Sequence, residues 1–143
     1  MTTFRSDVRD GIYGLLTGFQ SANPTLIEHT YRRRPGSFPD KRTGYVGSMP
    51  EAIAHTGGSL SQRTMTPTVV LVMKLTEPSH EQSDAMDDLV DAFITYANAR
   101  PHAVSNQTVV VPTGVEDVEL DAEGTFYPAA VVTFSTIALE GRV

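Results

Sequence analysis

The sequence predicts an α+β domain, a mixed but mostly antiparallel β-sheet of about four to five strands with two main helices packed on it. Three observations carry this. The run Val69–Leu75 places apolar residues on both faces, as expected for a strand covered on both sides. Apolar residues recur at helical spacing near the N-terminus and again between Met86 and Ala97. The chain then closes on a long alternating stretch, Thr125–Leu139, whose apolar residues on both sides predict the central strand.

Taken in order, Phe4, Val8, Ile12, Leu15, Leu16 and Phe19 predict a helix over residues 3–20. Gly11, Gly14 and Gly18 weaken it by up to ~1 kcal/mol each, and their spacing predicts close approach of another backbone. Ser21-Ala22-Asn23-Pro24 stops it. Residues 25–34 read as a strand, with Leu26, Glu28 and Thr30 on one face and Ile27, His29 and Tyr31 on the other. Residues 36–48 hold four Gly or Pro and little pattern, which predicts a long loop with room for a short strand at Tyr45-Val46. Met49–Thr56 reads either as a helical turn from Pro50 or as a short strand around Ile53. A strand from about Leu60 to Thr76 follows. Pro67 has no N–H to donate, so its neighbourhood is an edge or a bulge. Ser79 and Gln82 match a capping box for a helix over 79–99, whose buried face is Met86, Leu89, Val90, Phe93, Ile94 and Ala97. Thr108–Pro112 and Val115–Leu120 are two further strands, and Asp121–Gly124 turns into the last one.

The length of 143 residues fits one domain, 1–143, with a long loop or extension at about 36–65. There is no Cys, which excludes disulfides and thiolate metal sites. No apolar run approaches 18 residues, so no membrane span is expected. The N-terminal residues lack the apolar core of a signal peptide, and a soluble protein made in the cytoplasm is expected. A net charge of −6 argues against a chain that wraps nucleic acid, though it suits a wall past which nucleic acid slides.

No residue constellation reads as an active site. His29, His55, His80 and His102 are scattered and show no metal-ligand spacing. There is no nucleophile elbow, phosphate loop or dinucleotide fingerprint. Neither a catalytic residue, a metal nor a cofactor is expected. Arg32, Arg33 and Arg34 form the one dense basic cluster. It reads as a solvated strand end or as a salt-bridge patch for a neighbouring subunit, with Arg32 and Arg34 pointing one way and Arg33 the other. Phe38, Lys41, Arg42 and Arg63 join it as interface candidates. Asp84, Asp88 and Asp91 lie on the helix face away from the apolar stripe, as a solvated face or a partner surface. Glu116, Asp117, Glu119, Asp121 and Glu123 concentrate acid along a hairpin, either to keep an exposed strand from pairing wrongly or to line a pore or meet a basic neighbour.

The order of these parts is an N-terminal helix, a strand ending in Arg and a long loop. Then come the strand Arg63-Thr-Met-Thr-Pro-Thr-Val-Val-Leu-Val72, an acidic helix after Pro78 and a closing hairpin. That order resembles the tail terminator proteins of long-tailed bacteriophages, of the siphophage type, over nearly the whole chain. Met49-Pro-Glu-Ala-Ile-Ala-His-Thr-Gly-Gly58 is also similar to the loop segment of some actinobacterial-phage members. The resemblance implies a virion structural protein, located in the tail or neck and assembled in the host cytoplasm. It implies a ring, usually a homo-hexamer, that caps the head-proximal end of the tail tube and stops its polymerisation. The implied partners are the tail tube protein and the head-tail connector or neck protein, with DNA passing through the pore unbound. Another neck component, a head-tail connector or tail completion protein, is the alternative. A small enzyme or ligand-binding domain is the rival from another class, and it would need a pocket of convergent polar groups around His29 or His55.

Overall fold

The computed structural model of the chain describes residues 3–38, 41–57, 60–73, 79–105, 108–122 and 124–140; the side chains of 55–62, 79–83 and 137–140 lie outside that description. Helix α1 (Phe4–Ala22) begins where the Thr3 hydroxyl accepts the Ser6 amide at 3.1 Å, which satisfies a first-turn donor. Its stripe of Val8, Ile12, Leu15, Leu16 and Phe19 is buried. Helix α2 (Ser79–Asn98) buries Met86, Leu89, Val90, Phe93 and Ala97, while Ile94 is half-buried. The Ser79–Gln82 capping box falls on side chains outside the described set.

Seven strands make one sheet. They are β1 (His29–Tyr31), β2 (Thr43–Val46), β3 (Glu51–Gly57), β4 (Leu60–Met65), β5 (Thr68–Val72), β6 (Val110–Ala122) and β7 (Thr125–Glu140). The order is β1-β2-β5-β7-β4-β3, with β6 on the other edge of β7. Only β1 and β2 are parallel. Strand β7 is central, as expected, and pairs with three partners.

The sheet thus has seven strands where four to five were expected, and the breaks have identifiable causes. Strands β4 and β5 pair with β7 in one unbroken register, from Ser61 opposite Glu140 to Val72 opposite Ala129. Pro67 divides them: it gives no N–H, and its carbonyl alone joins the ladder, accepting the Phe134 amide at 2.8 Å. On the far side, β2 and β3 follow β5 and β4. Between Val46 opposite Val69 and Glu51 opposite Met65 the register slips by one residue, across Ser48-Met49-Pro50. Residues 43–46 and 51–57 are strand because β5 and β4 offer them a ladder. Of the loop expected at about 36–65, the described stretches 36–38, 41–42 and 47–50 stay irregular, and Pro50 starts no helical turn. The expected strand 25–34 shrinks to three residues. Thr108–Pro112 and Val115–Leu120 fuse into β6, which passes an irregularity between Pro112 and Gly114 without ending.

Both helices lie on one sheet face. Val69, Leu71 and Met73 of the β5 ladder and Ala130, Val132 and Phe134 of β7 meet them there. Phe93 ties the layers, edge-on to Phe19 at 5.3 Å and to Phe134 at 6.0 Å; such pairs add about 0.5–1.5 kcal/mol each beyond their burial. The close approach expected at the α1 glycines holds at Gly11, where an added Cβ would sit 2.8 Å from Val104 Cα. Gly18 meets the Tyr96 side chain, and Gly14 faces open space.

The other face, the back of the sheet, buries Tyr45, Val70, Val72 and Ala129 under Phe38. Phe38 stacks on Tyr45 at 6.0 Å and meets Tyr127 edge-on at 5.1 Å. The segment 32–38 is therefore a strap drawn across the back of the sheet. Helices on one side and the strap on the other explain why every residue of β5 is buried.

Candidate functional site

Strand β1 ends at Tyr31, so the alternation expected for Arg32–Arg34 does not apply; the chain leaves the sheet edge and the three side chains diverge. Arg32 turns to α1 and pairs with Asp10 at 2.7 Å. Arg34 crosses the back face, lies over the Phe38 ring at 5.5 Å and donates to the Asp121 carbonyl at 2.8 Å. Arg33 is exposed and has no carboxylate partner among the described residues. Arg9 of α1 reaches round the sheet edge, where β1 no longer covers β2, and donates to the Arg32 carbonyl at 3.3 Å.

Together Arg9, Arg33 and Arg34 rim a cleft of about 390 Å³ at the back of the sheet, lined also by Tyr45, Val46, Gly47, Ser48, Thr68, Val70 and Val131. Burial pushes the Arg9 guanidinium down from its usual value, and the positive fields of Arg33, Arg32 and Arg5 act in the same direction. Burial also pushes the Tyr45 phenol up, against the opposing pull of Arg34. The cleft is a concentration of like charge over a floor of mixed polar and apolar groups.

The other basic candidates serve the fold. Lys41 pairs with Glu28 at 3.3 Å, and Arg42 donates to the Leu26 carbonyl at 3.4 Å, which ties the start of β2 to the chain entering β1. Arg63 pairs with Glu51 and covers the Phe4 ring at 4.9 Å. Arg5 meets the same carboxylate at 3.2 Å and the Met49 carbonyl at 3.1 Å. The Arg63 hydrogen bond, joined by Arg5, holds the Glu51 carboxyl below its ordinary range although burial works the other way. This clamp fastens the root of the β3–β4 hairpin to α1. Beyond it, β7 runs on past its last β6 pair, Val110 opposite Thr136, with β4 as its one partner among the described residues, so β3, β4 and the end of β7 form an arm.

The acidic candidates are solvent-facing. Asp84, Asp88 and Asp91 are exposed along α2 and make no ion pair among the described residues. Strand β6 pairs with β7 alone and is an edge strand. Asp117 lies opposite Ala130 and Val115 opposite Val132, so Val115, Asp117, Glu119 and Asp121 share the helix-side face, beyond the cover of the helices. Glu116 lies opposite Val131 on the back face. Glu123 lies outside the described residues.

A second groove of about 520 Å³ runs between α1 and the end of α2, lined by Asp10, Leu15, Tyr96, Arg100 and His102 among others. Its charged groups are already occupied, Asp10 with Arg32 and Arg100 over the Tyr96 ring at 3.6 Å. His29 is exposed and stacks beside Tyr31 at 6.4 Å; the His55 and His80 side chains lie outside the described set. Among the described residues no group of His, Asp and Glu could hold a metal ion, and no helix is long and apolar enough to cross a membrane.

Sequence reasoning missed Arg9 and the cleft floor. Arg9 sits on the polar side of α1, and nothing local in the sequence joins it to Arg33; the strap does. No protein-family model matches this chain, and no curated protein matches it either.

Proposed function

We propose that this protein is a structural component of a virus particle, of the tail-terminator kind: a ring at the head-proximal end of the tail tube that halts tube polymerisation and presents the surface for head joining. The observation that supports it is a sheet left open at both ends. Strands β3 and β6 have no strand partner on their outer edges among the described residues; on β6 the Val110 amide donates to the Pro101 carbonyl and the Asp121 carbonyl accepts Arg34, and the edge between them carries no further strand. Ile53 on β3 is 56% exposed, and Val115 and Phe126 of the β6–β7 hairpin are 45% and 61% exposed. Long open edges with exposed apolar side chains are a liability in a solitary protein and a ready interface in an assembly. Work of this kind uses shape, symmetry and complementary surfaces and needs no reactive group.

The test is genetic and microscopic. Deleting the gene from the genome that encodes the chain leaves tails of uncontrolled length whose tubes do not join heads. Tails of normal length with normal ends would refute the reading. Labelling the protein in intact particles places it at the tube end; a position on the head side would mark another neck component.

A further inference from the structure

We propose that the cleft rimmed by Arg9, Arg33 and Arg34 seats the helix-side row of β6, centred on Asp117 and Glu119, of a second copy of this chain, so that copies join head to tail. The inference deepens the assembly reading above by naming the partner and both halves of one contact.

The cleft asks for anions. Among the described residues Arg9 and Arg34 are tied to carbonyl oxygens, the Arg33 side chain makes no hydrogen bond, and none of the three has a carboxylate partner. Their charges stand close enough for Arg33 to bear on Arg9. Arg is suited to a carboxylate because its planar fork offers two parallel donors. The floor asks for something more. Beside Ser48 and Thr68 it carries Tyr45, Val70 and Val131, and a small inorganic anion would satisfy the rim and leave those three side chains uncovered. An exposed strand face that carries acids with apolar side chains at its margins meets both demands. Strand β6 supplies one: Val115, Asp117, Glu119 and Asp121 share a face, and all are exposed. Phe126, opposite Asp121, adds a large apolar side chain to that surface.

The geometry also fixes how copies relate. The cleft lies on the back face, with Tyr45, Val70 and Val131. The acidic row lies on the helix-side face, opposite Ala130 and Val132. One molecule therefore cannot give and receive through the same patch. Such a heterologous contact closes into a ring when the rotation between copies allows it.

The test is sedimentation of the full-length protein over a range of concentrations, at low and at high salt. The native chain has a mass of 15.5 kDa. Its average mass rises above that value with concentration at about 50 mM salt and falls back toward the monomer at about 1 M, where screening is within a few ångströms. Arg33→Glu and, separately, Asp117→Lys with Glu119→Lys each weaken self-association by roughly tenfold or more, the scale of a lost close charge pair. Both changes fall on exposed side chains; Arg33→Gln and Glu119→Gln repeat the test without reversing charge should either fail to fold. Mixing is decisive. The Arg33→Glu chain keeps its acidic row and the Lys variant keeps its cleft, so an equimolar mixture associates where each alone does not. A native chain that stays monomeric at about 1 mM and low salt, variants that associate like the native chain, or a mixture no better than its components would each overturn the contact. Native-like tube capping by Arg33→Glu would overturn this contact and leave the tail-terminator reading standing. Salt-sensitive association without any tail phenotype would do the reverse.

Discussion

Replacing Gly11 with Ala, and separately Gly14, compares one chemical change at two positions three residues apart on α1. Both substitutions gain the helix preference of Ala over Gly, about 0.8–1 kcal/mol. At Gly14 the new methyl group meets nothing within 4 Å, so the gain is kept. At Gly11 it lands 2.7 Å from Val104 Cγ2, 2.8 Å from Val104 Cα and 3.0 Å from the Ala103 carbonyl oxygen. Two of those atoms are backbone and cannot rotate away, so the segment after α2 must move. Forcing a methyl group into a packed site costs about 1–3 kcal/mol, which exceeds the helical gain. The net expectation is a gain of about 1 kcal/mol at Gly14 and a loss of up to about 2 kcal/mol at Gly11. For a domain of this size that is roughly 3 °C up in Tm for the first and up to about 6 °C down for the second. Thermal and urea unfolding followed by circular dichroism reads both. A Gly11→Ala protein as stable as Gly14→Ala would refute the packing of residues 103–104 against α1 and the reasoning built on it.

Three further outcomes follow from the same structure. Glu51→Gln removes the carboxylate that Arg63 and Arg5 share, with 11% of its side chain accessible; the expected loss is about 1–2 kcal/mol near neutral pH. Because the folded carboxyl is held below its ordinary range, that contribution is present above the unfolded pKa and disappears as pH falls through the lower folded value. Urea titrations of both proteins should therefore converge in acid, and a gap that persists below pH ~2 would contradict the clamp. Phe38→Ala empties the contact between the strap and the back face, and should cost about 3 kcal/mol and deprotect amides 32–38 in hydrogen exchange ahead of global unfolding. Thr136 is fully buried at the junction of β4, β6 and β7, and its hydroxyl finds no hydrogen-bond partner among the described residues. Thr136→Val should accordingly stabilise by about 1 kcal/mol in the same urea assay, and a loss would mean the hydroxyl is satisfied in solution.

Much of this architecture is legible locally. Helix α1 announces itself through the spacing of Val8, Ile12, Leu15 and Phe19, and β5 through five consecutive buried residues that only a doubly covered strand allows. The cover itself is not legible. The strap is held by Phe38 against Tyr45 and Tyr127, partners 7 and 89 positions away, and no periodicity reports such a contact. Residues 36–48 read as a loop with room only for a short strand at Tyr45-Val46, and 49–56 as a helical turn or a short strand, because Thr43-Gly44-Tyr45-Val46 is too short to declare itself and its ladder is supplied by β5. The division at Pro67 was visible as a missing donor; that β7 would carry the register straight through it was not. The same limit applies to the candidate site. Arg32–Arg34 stand out by density, yet their directions depend on where β1 stops, and Arg9 enters the cleft through tertiary structure alone.

Under the proposed tail-terminator role, electron microscopy of the purified protein mixed with growing tail tubes tests the central claim most directly. Assembly through open, complementary surfaces predicts a ring of density at one end of each tube and an arrest of elongation there. Bare ends on tubes that lengthen at the same rate with and without the protein would contradict it.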